Sequence, residues 1–386
     1  MSAMARAVGG LLLLVLCVAT AHAQSRDWRK QPFTSTSPWN QPIGSGAKYA
    51  DIANLAGFAA AMNYDDRWTS SIVVARTTDP VVQMLYSPPV GTTSTWTFLA
   101  NGGKPCGNSA ADEAMLEAAS SPTLQFEANY YSTLATPDTH VWQLPASFHK
   151  ASSDARPKFY LPAGACPSPD SDGFMAVLQP DGWIVDVYAG VVLSNGKVLG
   201  TMASALDARG DGTGWWNGRR ASMLPSLAGL IRNGEIAAGR IPHALAVQAP
   251  PAMLTTQAVW PAATFDRDAG YSGTIPMGSL LAIPPSVDVT KLGLTPQGVI
   301  LARAAQDYGV YVVDRGGGGI TFLAELGNPD IHWTNRWNDL AIVKNALKRV
   351  ANNGPSSVGG GGTPRQPLAA PLVEAPQLTG IEKVAP

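Results

Sequence analysis

The sequence predicts a mainly β protein, a β-sandwich or jelly-roll-like fold with a few short peripheral helices. Three observations predict it. Glycine (39) and proline (31) are abundant in the 386 residues while charged residues make up only 14%, a balance that suits turns and short strands better than long amphipathic helices. Residues 173–179 and 183–188 are apolar, β-branched and aromatic runs joined by Pro180-Asp181-Gly182, a tight-turn sequence. Residues 190–199 repeat the device around Asn195-Gly196.

The elements follow in order. Arg6, an apolar run over 8–20 and the small residues Ala21 and Ala23 read as a signal peptide over 1–23, cleaved before Gln24. No later stretch reaches the roughly 18 apolar residues of a spanning helix, so the expectation is an exported protein without membrane insertion. Residues 24–47, rich in Ser, Thr and Pro, read as an extended segment pinned by Trp39. Residues 48–351 are expected to form a single β-rich globular domain. Within it, Ile52, Leu55, Ala59 and Met62 have helical spacing, which predicts a short helix over 48–62.

Strands are expected over 70–89 and 93–100, then a helix over 110–119 opened by Ser109 and Asp112. Once Cys17 leaves with the leader, Cys106 and Cys166 are the remaining pair, and an exported chain joins them. Such a bridge contributes roughly 3 to 4 kcal/mol in the chain-entropy picture. Residues 225–231 and 234–238 read as helical turns, and His243 opens an apolar strand. A strand over 278–289 follows, then a helix over 296–308 capped by Thr295-Pro296 and stopped by Gly309. Strands over 310–315 and 320–326 are expected to form a hairpin through Gly316 to Gly319, a run lacking the Lys-Ser/Thr of a phosphate loop. Leu340, Val343, Leu347 and Val350 predict a last helix over 339–350. Residues 352–386 have the composition of a disordered Gly/Pro-rich tail.

The net charge of −1 gives no bulk attraction for nucleic acid or an anionic membrane. Residues 207–250 gather the chemically capable side chains. His243 is the candidate acid or base. Asp186, a carboxylate in an otherwise apolar strand beside Tyr188, is its candidate partner. Hydrolysis of the usual kind needs two carboxylates, for which Asp186 and Glu235 are the pair, although Glu235 also suits the start of a helical turn. Trp215, Trp216 and Tyr188 are candidates to line sugar subsites, and Arg219, Arg220 and Arg240 to hold an acidic sugar. Asp172 reads as a turn former, and Asp266-Arg267-Asp268 as a solvated loop without EF-hand spacing. Among the histidines, His140, His149 and His332 lack metal-ligand spacing. GxSxG, HExxH and GxGxxG are absent, and no metal or cofactor is expected.

The blocks PFTSTSPWNQPI, DGFMAVLQPDGWIVDVY, LPSLAGLIRNGEIAAGRIPHALAV and MGSLLAIPPSVDVTKLGL, with LARAAQDYGVYVVDRGG, resemble those of a large group of secreted bacterial proteins. The resemblance spans about residues 32–326 and implies export and a shared single fold rather than a particular reaction. In those relatives the first hairpin often carries a His where this chain has Phe174. Together these readings point to an exported enzyme that cleaves a polysaccharide or cell-wall glycan, as a glycoside hydrolase or a polysaccharide lyase. The alternative is a non-catalytic secreted glycan- or cell-wall-binding protein using the same aromatic residues.

Overall fold

The computed structural model describes residues 25–64, 67–88, 91–122, 158–213, 219–266 and 270–373. The leader over 1–23 lies outside them. The fold is mostly sheet with a few short helices.

In chain order the strands begin with β1 (Tyr49–Ala50), β2 (Ala59–Asn63), β3 (Ser71–Val74) and β4 (Val81–Tyr86), before the helices α1 (Thr95–Ala100) and α2 (Ala110–Ala118). Then come β5 (Lys158–Tyr160), β6 (Met175–Leu178), β7 (Trp183–Tyr188), β8 (Val191–Val192), β9 (Val198–Gly200) and β10 (Met202–Asp207). The last third holds β11 (Leu245–Ala249), β12 (Leu254–Ala258), β13 (Ile275–Met277) and β14 (Leu280–Ala282), then α3 (Pro296–Asp307), β15 (Val310–Arg315), β16 (Gly319–Leu323), α4 (Arg336–Asn345) and β17 (Lys348–Val350).

A seven-stranded sheet of order β1-β17-β14-β15-β11-β16-β2 forms one layer, and a four-stranded sheet, β10-β7-β6-β3, faces it. Strand alternation assigns the two faces of the larger sheet to different cores. Leu245, Val247, Val310, Val312 and Phe322 pack on one side with Leu301 and Ala305 of α3 and Leu340 and Val343 of α4. Ala246, Tyr311, Val313 and Leu323 face the other way, joining Ala176, Leu178 and Ile184 of the second sheet. The second sheet is itself apolar on both faces, since Met175, Val177, Val185 and Val187 pack with Val82, Met84, Phe159 and Val198 of a third sheet, β5-β4-β9-β8. Any polar group inside this stack must find partners there.

The hairpins form as the sequence predicts. Gly182 takes φ 87° in the β6–β7 turn and Gly196 takes φ 84° in the β8–β9 turn, values an L side chain rarely adopts. Ser109 caps α2 by accepting from the Asp112 amide, Thr295 caps α3 by accepting from the Gly298 amide, and Cys106 is joined to Cys166.

Other expectations change. Residues 48–62 form β1, a 3-10 turn (Leu55–Gly57) and β2 instead of a helix, because Asn54 turns left-handed and Ala59–Asn63 pairs in parallel with β16. Ile52, Leu55 and Met62 are nevertheless buried; the periodicity found the burial and missed the element. The run 93–100 ends in α1 rather than a strand, with Thr95 and Leu99 one helical turn apart and buried. The last helix begins at Arg336 and stops at Asn345, and Lys348–Val350 becomes a strand between β1 and β14.

The Gly316 to Gly319 run is not a hairpin turn either. Strand β11 stands between β15 and β16, parallel to the first and antiparallel to the second, so the glycines carry the chain across its end, where the Gly316 amide donates to Ala249 O at 2.8 Å. The expected disordered tail is ordered through residue 373. Its Gly359 to Gly362 stretch lies against Gly44, where a Cβ would sit 2.0 Å from the Gly361 carbonyl oxygen. The Arg26 guanidinium ties the two ends together, donating to Ala370 O at 2.9 Å and Phe33 O at 2.6 Å.

Lys344 of α4 is 2% exposed, and its ammonium donates to Leu55 O at 2.8 Å and Phe58 O at 2.6 Å. It caps the 3-10 turn from beneath, so replacement strands buried carbonyls. Lys344→Met is expected to destabilise the fold by about 2 kcal/mol, measured as a lower midpoint of urea denaturation.

Candidate functional site

Strand β11 separates two polar regions. His243 precedes its first residue, while Gln248, near its last, aligns with Asp314 of β15. At about 3.3 Å per extended residue the two ends lie roughly 16 Å apart.

At the His243 end the ring is 6% exposed and both nitrogens face acceptors: Nδ1 lies 2.9 Å from Ala244 O, and Nε2 lies 3.0 Å from Glu235 Oε1. A neutral imidazole has one N–H, so satisfying both contacts needs the imidazolium. Burial opposes that charge, but the Glu235 charge and hydrogen bond, with the Ala244 carbonyl, outweigh it and raise the pKa of His243. Glu235 also accepts from the Arg232 amide at 2.7 Å, and the Arg232 side chain bonds Glu325 at 2.8 Å. Beside the ring is a cavity of about 20 Å³ bordered by Gln31, Phe33, Trp39, Asn40 and Arg232. It has room for about one water and none for a sugar ring. Arg240 lies at this end, bonded to the Tyr308 hydroxyl at 3.1 Å.

Asp186, the expected partner of His243, is elsewhere. It is fully buried in the middle of β7, on the face shared with Ile184, as alternation predicts. Its carboxylate accepts from the Ser226 amide at 2.8 Å and from the Ser226 hydroxyl, which lies 3.0 Å from Ser70 Oγ. Burial raises its pKa, against the Ser226 hydrogen bonds and the charges of Arg219 and Arg220. Those arginines are 7% and 4% exposed and are thus interior groups rather than an open cradle for an acidic sugar. Arg220 donates to Ala228 O at 3.2 Å and to Ser226 O.

At the other end of β11, Asp314 is influenced by carboxyl groups from other segments of the chain. Asp314 Oδ1 accepts from the Arg315 amide at 2.9 Å and from the Ala221 amide at 3.4 Å. Burial, with Asp266 adding to it and Arg220 opposing it, pushes Asp314 up to about 7. Asp170 is the true turn former in its segment, accepting from the amides of Asp172 (2.8 Å) and Gly173 (3.2 Å) and from Trp68 N at 2.6 Å. That leaves the Asp172 carboxyl to meet Asp314, Asp170 and Asp266. Burial and then those charges raise it well above the usual range, while a hydrogen bond from Tyr188 works the other way. Tyr188 also packs against Phe174, with ring centroids 5.6 Å apart.

Asp266 accepts a hydrogen bond from the Tyr271 hydroxyl. Trp68, 38% exposed, stands at the edge of this group, held by Asp170 through its amide and by Asn63 through its carbonyl. The arrangement offers a carboxyl group that accepts from Tyr271 and two others, Asp172 and Asp314, raised above the usual carboxylate range, a combination of use in acid–base chemistry.

Of the candidates from sequence, the structure joins Glu235 to His243 and sets Asp186, Arg219 and Arg220 apart from them. Tyr188 reaches the carboxyl group at Asp172. Trp215 and Trp216 lie outside the described residues. Sequence reasoning passed over Asp314 and Tyr271 and gave Asp172 and Asp266 ordinary loop roles. One signal was available: Asp314 follows an apolar run, Val310 to Val313, one residue short of the end of its strand, the same discomfort that drew attention to Asp186. Among the described residues no group of three or more His, Cys, Asp or Glu has a metal-binding arrangement. No protein-family profile, curated protein or solved structure matches the chain.

The raised pKa of His243 has a definite sign in stability. Its contribution is fully present below the unfolded value near 6.5 and is lost as pH rises through the higher folded value. Wild type is therefore expected to lose stability above about pH 6.5 relative to His243→Gln, read as the pH dependence of the difference between their thermal midpoints. Asp314 contributes in the same direction, but it is common to both proteins and cancels in that difference.

Proposed function

We propose that this is an exported enzyme that hydrolyses glycosidic bonds in a polysaccharide or cell-wall glycan, using the carboxyl groups at the Asp314 end of β11. The reading is supported by the mutual charge effects of Asp172, Asp266 and Asp314, which come from three chain segments and raise Asp172 and Asp314 above the usual carboxylate range together with burial. Asp314 serves as the general acid that protonates the leaving oxygen. Asp266, which accepts from Tyr271, serves as the carboxylate opposite it. Asp172 shares the proton load, and Trp68 offers an exposed ring face on which a sugar can stack.

Hydrolysis is the reading the raised carboxyl groups support, since it calls for a carboxylic acid at the leaving oxygen. Of the arginines expected to hold an acidic sugar, Arg219 and Arg220 are buried with Asp186 and Arg240 is at the far end with Tyr308. His243 and Glu235, the acid–base pair expected from sequence, support a structural role in this reading, because both ring nitrogens already have acceptors. Export is supported by the leader-like N-terminal sequence and by the Cys106–Cys166 bridge. The reading takes the stacked sheets as a β-sandwich. It sets aside the jelly-roll form, since β3–β6, β4–β9, β11–β15 and β16–β2 pair in parallel.

The test is incubation of the purified mature protein with plant, algal and bacterial glycans, following both reducing ends and the absorbance of unsaturated products. Reducing ends without unsaturated products are expected. Asp314→Asn should lower the rate by about 10² to 10⁴ with its thermal midpoint retained, while His243→Gln should keep most of the rate. Glycan binding without any product would replace this reading with that of a secreted binding protein.

A further inference from the structure

Trp68 is 38% exposed, yet it is held in a backbone conformation that a large side chain rarely adopts, with φ at 60°. A bulky residue stays in the left-handed region only when its surroundings fix it there, and such outliers gather at binding and active sites. The bonds that fix Trp68 act on its backbone from both sides. Its amide donates to Asp170 Oδ2 at 2.6 Å, and its carbonyl accepts from Asn63 Nδ2 at 3.3 Å and from Gln248 Nε2 at 3.5 Å.

Asp170 divides its two oxygens between two segments. Oδ2 takes the Trp68 amide from the β2–β3 connection, while Oδ1 takes the amides of Asp172 at 2.8 Å and Gly173 at 3.2 Å in the turn before β6. That turn is anchored by itself to the chain beyond β7, where Ala189 N donates to Asp172 O at 2.6 Å and Gly190 N to Gly173 O at 3.0 Å. The chain after Trp68 is also secured elsewhere: Thr69 Oγ1 donates to Ala324 O at 2.5 Å, Leu326 N to Ser70 O at 3.2 Å and Ser71 N to Phe174 O at 3.2 Å. With the turn and the following chain secured, the bond from Asp170 acts on Trp68 itself. Asp170 is 8% exposed, and a charge-assisted bond shielded from water in this way is a strong one.

We propose that Asp170 is a positioning residue that acts through Trp68: by clamping the Trp68 amide to the turn that carries Asp172, it holds the indole in one place as a platform on which a saccharide ring stacks. This role rests on Trp68 being the stacking ring of the proposed hydrolase. It gives the left-handed backbone at Trp68 a purpose, since the conformation keeps a large apolar ring exposed beside the Asp172 turn. Preorganising the ring in this way removes part of the ordering cost of binding.

The test is fluorine NMR of the full mature protein labelled with 5-fluorotryptophan, with the Trp68 signal assigned by its loss in Trp68→Phe. Asp170→Asn is the variant that separates the two bonds. Its side-chain oxygen still accepts from Asp172 and Gly173, while the amide group turned toward Trp68 is a donor facing a donor. A sharp Trp68 line is expected in wild type and a broadened or split one in Asp170→Asn, the other tryptophan lines being unmoved. If that variant does not fold, Asp170→Ser decides, because a serine hydroxyl keeps the turn but is too short to reach Trp68. A Trp68 line unchanged in position and width in the folded variant overturns the inference. Hexasaccharides of cellulose, xylan, chitin and alginate are then added: at least one should shift the wild-type Trp68 line, and no shift with any of them overturns the stacking role. By calorimetry that hexasaccharide should bind Asp170→Asn about three- to tenfold more weakly, and the weakening should vanish in a Trp68→Ala background. A weakening that persists without the indole overturns the positioning role. A displaced Trp68 line and weakened binding without cleavage of any glycan would uphold the clamp and sink the hydrolase reading, whereas cleavage with an unmoved line would do the reverse.

Discussion

Strand β11 is the constraint on which the rest of this structure depends. All five of its residues are buried, it is hydrogen-bonded to β15 on one side and β16 on the other, and its two faces belong to two different cores. A strand so enclosed cannot shift register without moving apolar side chains onto the wrong face. Everything polar is therefore displaced to its ends: His243 and Glu235 at the first, Asp314 and its neighbours at the last. The glycine crossover after β15 exists because β11 occupies the space a hairpin would have used.

The second theme is how the stack handles charge. Asp186 is buried between the two sheets, and Ser226, Arg219 and Arg220 supply the donors and counter-charge it would otherwise find in water. His243 meets the same problem at the other end, where Glu235 supplies the charge and Ala244 the second acceptor. At the Asp314 end the arrangement differs, since neighbouring carboxyl groups add to the effect of burial rather than offset it, and the exposed Trp68 is held by Asp170 nearby.

Much of the fold was legible in the sequence, and the reasons are local. The β6–β7 hairpin was readable because Pro180-Asp181-Gly182 meets a tight turn's backbone needs, and α3 because Thr295-Pro296 and Gly309 mark its ends. The 48–62 segment shows the limit: its apolar spacing marked Ile52, Leu55 and Met62 as buried, yet an edge position beside β16 turned Ala59–Asn63 into a strand. The tail was misjudged for a related reason. Its glycines look like a flexible linker, but Gly44 and Gly361 let two backbones approach more closely than any side chain would allow.

By itself the sequence determined that the chain is mainly β, where its clearest turns fall, which cysteines pair, and that His243 and Asp186 are unusual residues in apolar surroundings. Only the tertiary structure decided what surrounds them. Whether a carboxyl group is an interior anchor like Asp186 or one raised by other carboxyl groups like Asp172 depends on neighbours up to about 140 positions away in the chain, as Asp314 is from Asp172. Periodicity and turn chemistry act over a few residues, whereas burial and charge coupling act through space. That difference in range is why the elements could be read from the chain and the candidate site could not.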